Sequence, residues 1–301
     1  MITKTVSVDF ISTLFKSQKE AQLLGRWIHY AHISPLLREL SKKAKTDILG
    51  NSENGTPIHS LQFGSGKKRI LIWSQMHGNE STGTKALFDL FNCFTNTENN
   101  QIATILKECT ILCIPMLNPD GSFKYTRENA NGIDLNRDAI AQKATESKLL
   151  RSVLEDFNPD FCFNLHDQRT IFGVEGTENS ATISFLAPSE EITRKITNGR
   201  KETMNVIISM NALLQQVIPN QIGRYTDEFY PTATGDNFQK LGFNTVLIEA
   251  GHFSDDYDRE AARKFNFYAL FQGIHHIANS RAYPLILLVI QLQQVHPYNQ
   301  E

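Results

Sequence analysis

Along the middle of the chain, short apolar runs rich in β-forming residues alternate with longer stretches of helical period. The runs are Ile70-Leu71-Ile72-Trp73, Cys109 to Ile114, Phe161 to Leu165 and Thr245 to Ile248. Apolar residues at three- and four-residue spacing predict helices at Thr82 to Phe94, Gln142 to Phe157, Glu190 to Val217 and Asp258 to Ala278. A strand that reads as an unbroken apolar run is one buried on both faces. The alternation therefore predicts an α/β fold around a largely parallel sheet with helices on either side.

The same spacing predicts helices near the N-terminus at Glu20 to Tyr30 and Ser34 to Lys43. A strand-and-turn region follows, punctuated by Gly55-Thr56-Pro57 and Gly64-Ser65-Gly66. We expect a helical segment over residues 1–48 packed on a catalytic domain over 49–301. The stretch from Arg281 onward has strand propensity and no readable chemistry.

Composition narrows the function more than the fold. With 301 residues, 41% of them hydrophobic and 21% charged, the chain can bury a sizeable core. A formal net charge of −2 supplies no basic field for nucleic acid or an anionic membrane. Cys93, Cys109, Cys113 and Cys162 have no metal-type spacing, and Cys109 and Cys113 share parity in one apolar run, which predicts reduced core thiols. Met1 to Phe15 lacks a secretory apolar region, and Pro284 to Ile290 falls far short of the roughly 20 residues a membrane span needs. A cytosolic protein is the expectation.

The candidate chemistry lies just past the apolar runs. The first leads through Ser74-Gln75-Met76 into His77-Gly78-Asn79-Glu80, the third into His166-Asp167, and the fourth ends in Glu249-Ala250-Gly251. In open α/β sheets, ligands bind beyond the carboxyl ends of the strands. His77 and Glu80, three apart at a strand-to-helix turn, bring both side chains toward one point. Catalytic zinc takes three ligands of these types and keeps one position open, so His166 completes the set. Taken alone, His77-x-x-Glu80 is a weak signal, far more often a chance pair near a helix N-terminus, where an acidic residue is favourable anyway. The joint placement of three strand ends is what favours zinc.

The other histidines compete poorly. His29, His32, His59 and His296 lie away from these strand ends, and His275 and His276 point to different faces of one helix. His252, close to Glu249, is a candidate to line the pocket. Between the ligands lie Asn118-Pro119-Asp120-Gly121, Arg127-Glu128-Asn129 and Asp134-Leu135-Asn136-Arg137. The first is a turn sequence. Arg137 beside Asn136 is a plausible carboxylate anchor, and Arg127 could stabilise a developing oxyanion. Read alone, each arginine is more often a surface ion-pair former.

In this order, His77-Gly78-Asn79-Glu80, Asn118-Pro119-Asp120-Gly121, Arg127-Glu128-Asn129, Gly132 to Arg137, Leu165-His166 and Ile248-Glu249 resemble the motifs of the M14 zinc carboxypeptidases. The resemblance spans about residues 50 to 270 and implies a three-layer α/β/α sandwich with a mixed, largely parallel sheet. It implies one zinc on His77, Glu80 and His166, with Glu249 as the general base and Arg127 as oxyanion stabiliser. Asn136 and Arg137 would bind the free carboxylate of a peptide or small amide. Tyr230 is the candidate for the family's mobile tyrosine, with Tyr225 as the alternative.

The stretch from Glu80 to His166 is shorter than in digestive members, which implies a compact bacterial enzyme. The aspartoacylase and succinylglutamate desuccinylase group shares a His-Gly-Asn-Glu tract, an Asn-Arg pair, a late histidine and a glutamate base. An amidase or deacylase acting on muropeptides or N-acyl amino acids is therefore the alternative activity. A silent binding protein on the same fold is disfavoured by the intact ligand set and Glu249. A phosphate-loop nucleotide enzyme is excluded, because no Gly-rich strand-to-helix loop runs into Lys-Ser or Lys-Thr.

Overall fold

The computed structural model describes residues 5–95, 98–168, 171–280 and 294–297. The run Pro284 to Ile290, like most of the stretch from Arg281, lies outside the described residues. Two helices, α1 (Val8–Gln18) and α2 (Tyr30–Leu40), precede a hairpin of β1 (Lys45–Asn51) and β2 (Pro57–Phe63). Then come β3 (Lys68–Ser74), α3 (Thr82–Phe94), α4 (Asn100–Glu108), β4 (Cys109–Ile114) and the short α5 (Pro119–Lys124). A single 3-10 turn at Leu135–Arg137 leads to α6 (Thr145–Phe157) and β5 (Phe161–Asp167). The remainder holds β6 (Phe172–Val174), β7 (Ile183–Leu186), α7 (Asn198–Leu214), β8 (Ile222–Arg224), α8 (Thr234–Lys240), β9 (Asn244–Ala250), α9 (Glu260–Asn279) and β10 (Val295–Pro297).

Eight strands form one sheet in the order β1-β2-β4-β3-β5-β9-β7-β8, and β6 pairs with β10 apart from it. The centre, β4-β3-β5-β9, is parallel, whereas β1, β2 and β7 run antiparallel to their inner neighbours. This is the mixed, largely parallel sheet that the alternation predicts. After β3 the chain steps to one side for β4 and then to the other for β5, so the strand order switches direction between β3 and β5. Ligand sites favour the carboxyl ends at such a switch point.

Strand parity sorts the core into two layers. Ile70 and Ile72 of β3, with Phe161, Phe163 and Leu165 of β5, face the larger cluster under α3, α4, α7 and α9. Leu71, Trp73 and Cys162 face the opposite way, onto Leu150 and Leu154 of α6 and Phe238 of α8. Ile11, Leu14 and Phe15 of α1 and Leu36 and Leu37 of α2 join the larger cluster. β1 spans the division expected at residue 48. All four cysteines are buried and free. Among the described residues no helix is long and apolar enough to cross a membrane.

Two predicted helices differ from the structure. Residues 20–29 are not helical; the first helix lies earlier, where Ser7 Oγ accepts the Phe10 N–H and caps α1. The carbonyls of Glu20 and Leu23 instead accept hydrogen bonds from the buried Arg263 guanidinium, and that of Gly25 from the buried Lys85 ammonium. α7 begins at Asn198 rather than near Glu190, because buried Arg200 draws in the carbonyls of Arg194 and Lys195. A charge-assisted hydrogen bond is worth about 1.5–3 kcal/mol against roughly 1 kcal/mol for an ordinary helical one, so the buried cations win the carbonyls.

Candidate active site

The turn after β3 sets the first two candidate ligands. Gln75, the first residue after β3, adopts the left-handed conformation (φ +53). Its side-chain amide donates to Ile28 O and Gly78 O at 2.7 and 2.8 Å, while its carbonyl accepts from Thr84 Oγ1 at 2.8 Å. A Cβ on Gly78 would run into the backbone of Gly121 and Ser122, so only glycine lets this turn lie against α5. Asn118 Oδ1 accepts the Gly121 N–H at 2.8 Å, and Pro119 takes the first helical position. The Asn-Pro-Asp-Gly turn sequence is thus a capped helix start.

His77, Glu80 and His166 are buried, and their ligand atoms all lie within 4.8 Å of one another. His77 Nδ1 is 2.9 Å from Glu80 Oε1, His166 Nδ1 is 2.8 Å from Glu80 Oε2, and the two Nδ1 atoms are 3.1 Å apart. Ligands held about 2.0–2.1 Å from a tetrahedral zinc stand roughly 3.3 Å from each other, so the three fit that ion. The outer contact fits as well: His77 Nε2 lies 3.1 Å from Asp134 Oδ1, the carboxylate–histidine arrangement that fixes a ligand's tautomer. Burial opposes a charge on His77, but the Glu80 carboxylate and the hydrogen bonds to Asp134 and Glu80 outweigh it and raise its pKa. At His166 burial prevails and lowers the pKa.

Arg127 reaches into the same cluster. Its Nε donates to Asp134 Oδ2 at 2.9 Å, and Nη1 lies 3.2 Å from His77 Nδ1 and 3.5 Å from Glu80 Oε1. Glu249 stands on the neighbouring strand, in parallel register with His166 and in antiparallel register with Ser184. Burial, together with the charges of Glu80 and Asp167, pushes its pKa well above the usual carboxylate value. A carboxyl raised in this way can exchange protons nearer neutrality than an ordinary one.

The remaining candidates are placed as follows. Asn136 Oδ1 accepts the Thr234 N–H at 2.9 Å, which ties the 3-10 turn to the start of α8. Arg137 is exposed, and its Nη1 donates to Asn136 O. Tyr230 is 51% exposed, with its hydroxyl donating to Glu228 Oε2 at 2.6 Å. Burial, then the Glu249 charge, raises the pKa of Tyr225, and its hydroxyl accepts from Gln168 Nε2 at 2.7 Å. His252 is exposed, and its backbone N–H pairs with Ala181 O. Asp134 was legible only as part of a motif. An acidic residue one step before a turn signals a cap, and nothing local says that it also reaches His77.

Residues 29–205 match the family described as zinc carboxypeptidase. The chain is 28% identical over 177 residues to Carboxypeptidase SOL1 of Arabidopsis thaliana, covering 52% of this chain and 36% of that one. It is also 28% identical over 143 residues to Carboxypeptidase E of Caenorhabditis elegans, covering 38% of this chain and 30% of the relative. The matches thus span about a third of those relatives' length. Among solved structures, a metallo-carboxypeptidase from Burkholderia cenocepacia superposes with a TM-score of 0.67 at 16% identity, over 83% of this chain and 70% of its own. Carboxypeptidase A from Helicoverpa armigera does so with 0.67 at 15%, over 91% and 81%. Glu249 lies beyond the family match, and its place rests on the β5–β9 register.

Proposed function

From the premise that this chain belongs to the zinc carboxypeptidase family, we propose that it is a zinc-dependent carboxypeptidase that releases the C-terminal residue of peptides. The observation that carries the reading is the convergence of His77, Glu80 and His166 within 4.8 Å, with Glu249 in register beside His166. His77 Nδ1, His166 Nδ1 and the Glu80 carboxylate would hold one zinc ion. When bound, zinc supplies Lewis acidity that polarises a carbonyl and makes a water molecule acidic near neutral pH.

The chain's own groups do the rest. Glu249 takes the proton of the attacking water and passes it to the leaving amine nitrogen. The Arg127 guanidinium, steadied by Asp134, donates to the oxygen that gains charge as the carbonyl carbon becomes tetrahedral. Asn136 and Arg137 grip the substrate's terminal carboxylate, which sets the scissile bond at the strand ends. Tyr230 closes over the substrate from the exposed rim; Tyr225, already fixed near Glu249, is the other hydroxyl available for that contact.

The test is metal analysis of wild type beside His166→Ala, together with hydrolysis of C-terminally free and blocked peptides, a muropeptide and an N-acyl amino acid. About one zinc per chain, lost in the variant, with cleavage confined to peptides bearing a free carboxylate, is the expected result. Cleavage of only the muropeptide or the N-acyl amino acid would replace the peptidase with an amidase or deacylase on the same centre. A wild type that takes up no zinc would overturn the reading.

A further inference from the structure

The three segments that deliver the ligands and the base are joined by one side chain. Arg259, the residue before α9, donates from Nε to Thr82 Oγ1 and from Nη2 to Ala250 O, each at 2.7 Å. Its Nε is also 3.3 Å from Asp167 Oδ2. Thr82 lies two residues past Glu80, Asp167 follows His166, and Ala250 follows Glu249. The loop of contacts closes on the ligand itself, because the Asp167 N–H donates to Glu80 Oε2 at 3.1 Å.

Asp167 also caps α3 from outside the helix. Its Oδ2 accepts the Thr82 N–H at 3.2 Å and the Thr82 hydroxyl at 2.8 Å, whereas Ser81, at the usual capping position, makes no side-chain cap. Asp167 Oδ1 is buried without a partner among the described residues. A buried carboxylate with one oxygen unpartnered, beside Glu80 and Glu249, needs a countercharge. Arg259 is the cation in contact with it, with a side chain only 11% exposed.

The backbone of Arg259 argues that the side chain is there for this contact. The residue sits in the left-handed region (φ +59), a conformation that strains any L-residue with a Cβ. It is not needed as a helix cap, because Asp256 accepts the N–H groups of Glu260, Ala261 and Ala262. We propose that Arg259 is a positioning residue that holds His166 and Glu249 in place against Glu80, by binding Ala250 O and Thr82 and neutralising Asp167. The proposal rests on the reading of His77, Glu80 and His166 as ligands and Glu249 as base.

Arg259→Gly relieves the backbone strain while removing the guanidinium, and Arg259→Lys keeps the charge without the fork that spans two acceptors. For wild type and both variants, zinc affinity of the metal-free protein is measured by chelator competition, with kcat, KM and Tm alongside. The glycine variant is expected to lower Tm, because buried Asp167 loses its countercharge, while KM stays near wild type and zinc affinity and kcat fall by about 10- to 100-fold, the usual cost of losing a residue behind a metal ligand. Millimolar guanidinium should restore part of its kcat, and the lysine variant should show an intermediate loss. Zinc affinity and kcat within about twofold of wild type in both variants, or a kcat loss that follows Tm and is not rescued by guanidinium, would overturn the proposal. A wild type without zinc or turnover would instead remove the reading beneath it, and the proposal with it.

Discussion

Two clusters of buried charge meet at α3, one built on Lys85 and Asp89 within the helix and one just before its start at His77 and Glu80, and they are built on opposite terms. In the first, Arg263 grips Asp89 with Nε and Nη2 at 2.8 and 2.6 Å, and its other N–H groups go to Leu23 O, Glu20 O and Glu260 Oε2. Lys85 spends its three protons on Gly25 O, Asp258 O and Glu260 Oε1. Every donor of both cations has a partner. In the second, two imidazole nitrogens stand 3.1 Å apart with an arginine N–H group 3.2 Å from one of them. His166 Nε2 is buried without a partner, and among the described residues no ion pair forms at Glu249. The satisfied cluster fastens the N-terminal loop to α3 and α9. The crowded one leaves polar atoms without partners. Burial is common to both, so what separates structure from chemistry is whether the polar atoms are used up.

That contrast can be broken by experiment, and the largest effect is expected at Glu249. Glu249→Gln should leave about one zinc per chain and lower turnover by roughly 10²- to 10⁴-fold; metal content and kcat measured together check it, and near-normal turnover would remove Glu249 from the reaction. Next, Asp89→Ala strands the buried Arg263 guanidinium and should cost about 3–5 kcal/mol in urea unfolding, with zinc per folded chain unchanged. A loss under about 1 kcal/mol would place that cluster among ordinary surface pairs. Arg127→Ala should lower kcat by about 10²- to 10³-fold while unfolding stability barely moves, which sets it opposite Asp89→Ala in both readouts.

The smallest effect concerns pH. Burial pulls the Glu260 carboxyl up, but the hydrogen bonds from Lys19 and Lys85 outweigh it, and its pKa ends below the usual 4.5. A depressed folded-state pKa contributes stability that is present above the ordinary value and lost as pH falls through the folded one. Wild type should therefore exceed Glu260→Gln in Tm at neutral pH, with the gap closing below about pH 4.5. A gap that stays constant down through that range would mean Glu260 is not held by its partners.

Much of the architecture was legible because burial on both faces writes itself into the chain. Cys109–Ile114 and Thr82–Phe94 are the ranges the pattern predicts, and β3, β5 and β9 extend their apolar runs by only a few residues. β7 and β8, at four and three residues, are too short to carry a period. Of the site, His77, Glu80 and His166 were legible as strand-end residues, and the structure brings them together. Tyr225, Asp134 and Arg259 had no comparable signal, because each acts across a distance in sequence: Asp134 on His77, Arg259 on Thr82, Tyr225 on Gln168.

The sequence by itself determined the parallel core, the edge at which chemistry gathers, and the three residues able to hold a metal. It could do so because side-chain period and strand-end position are local properties. Only the tertiary structure decided that residues 20–29 leave the helix, that α7 starts late, and that Arg259 spans three segments. Those outcomes turn on which backbone carbonyl a buried cation reaches. A carbonyl is the same in every residue, so nothing in the pattern of side chains marks the ones that Arg263, Lys85 and Arg200 will take.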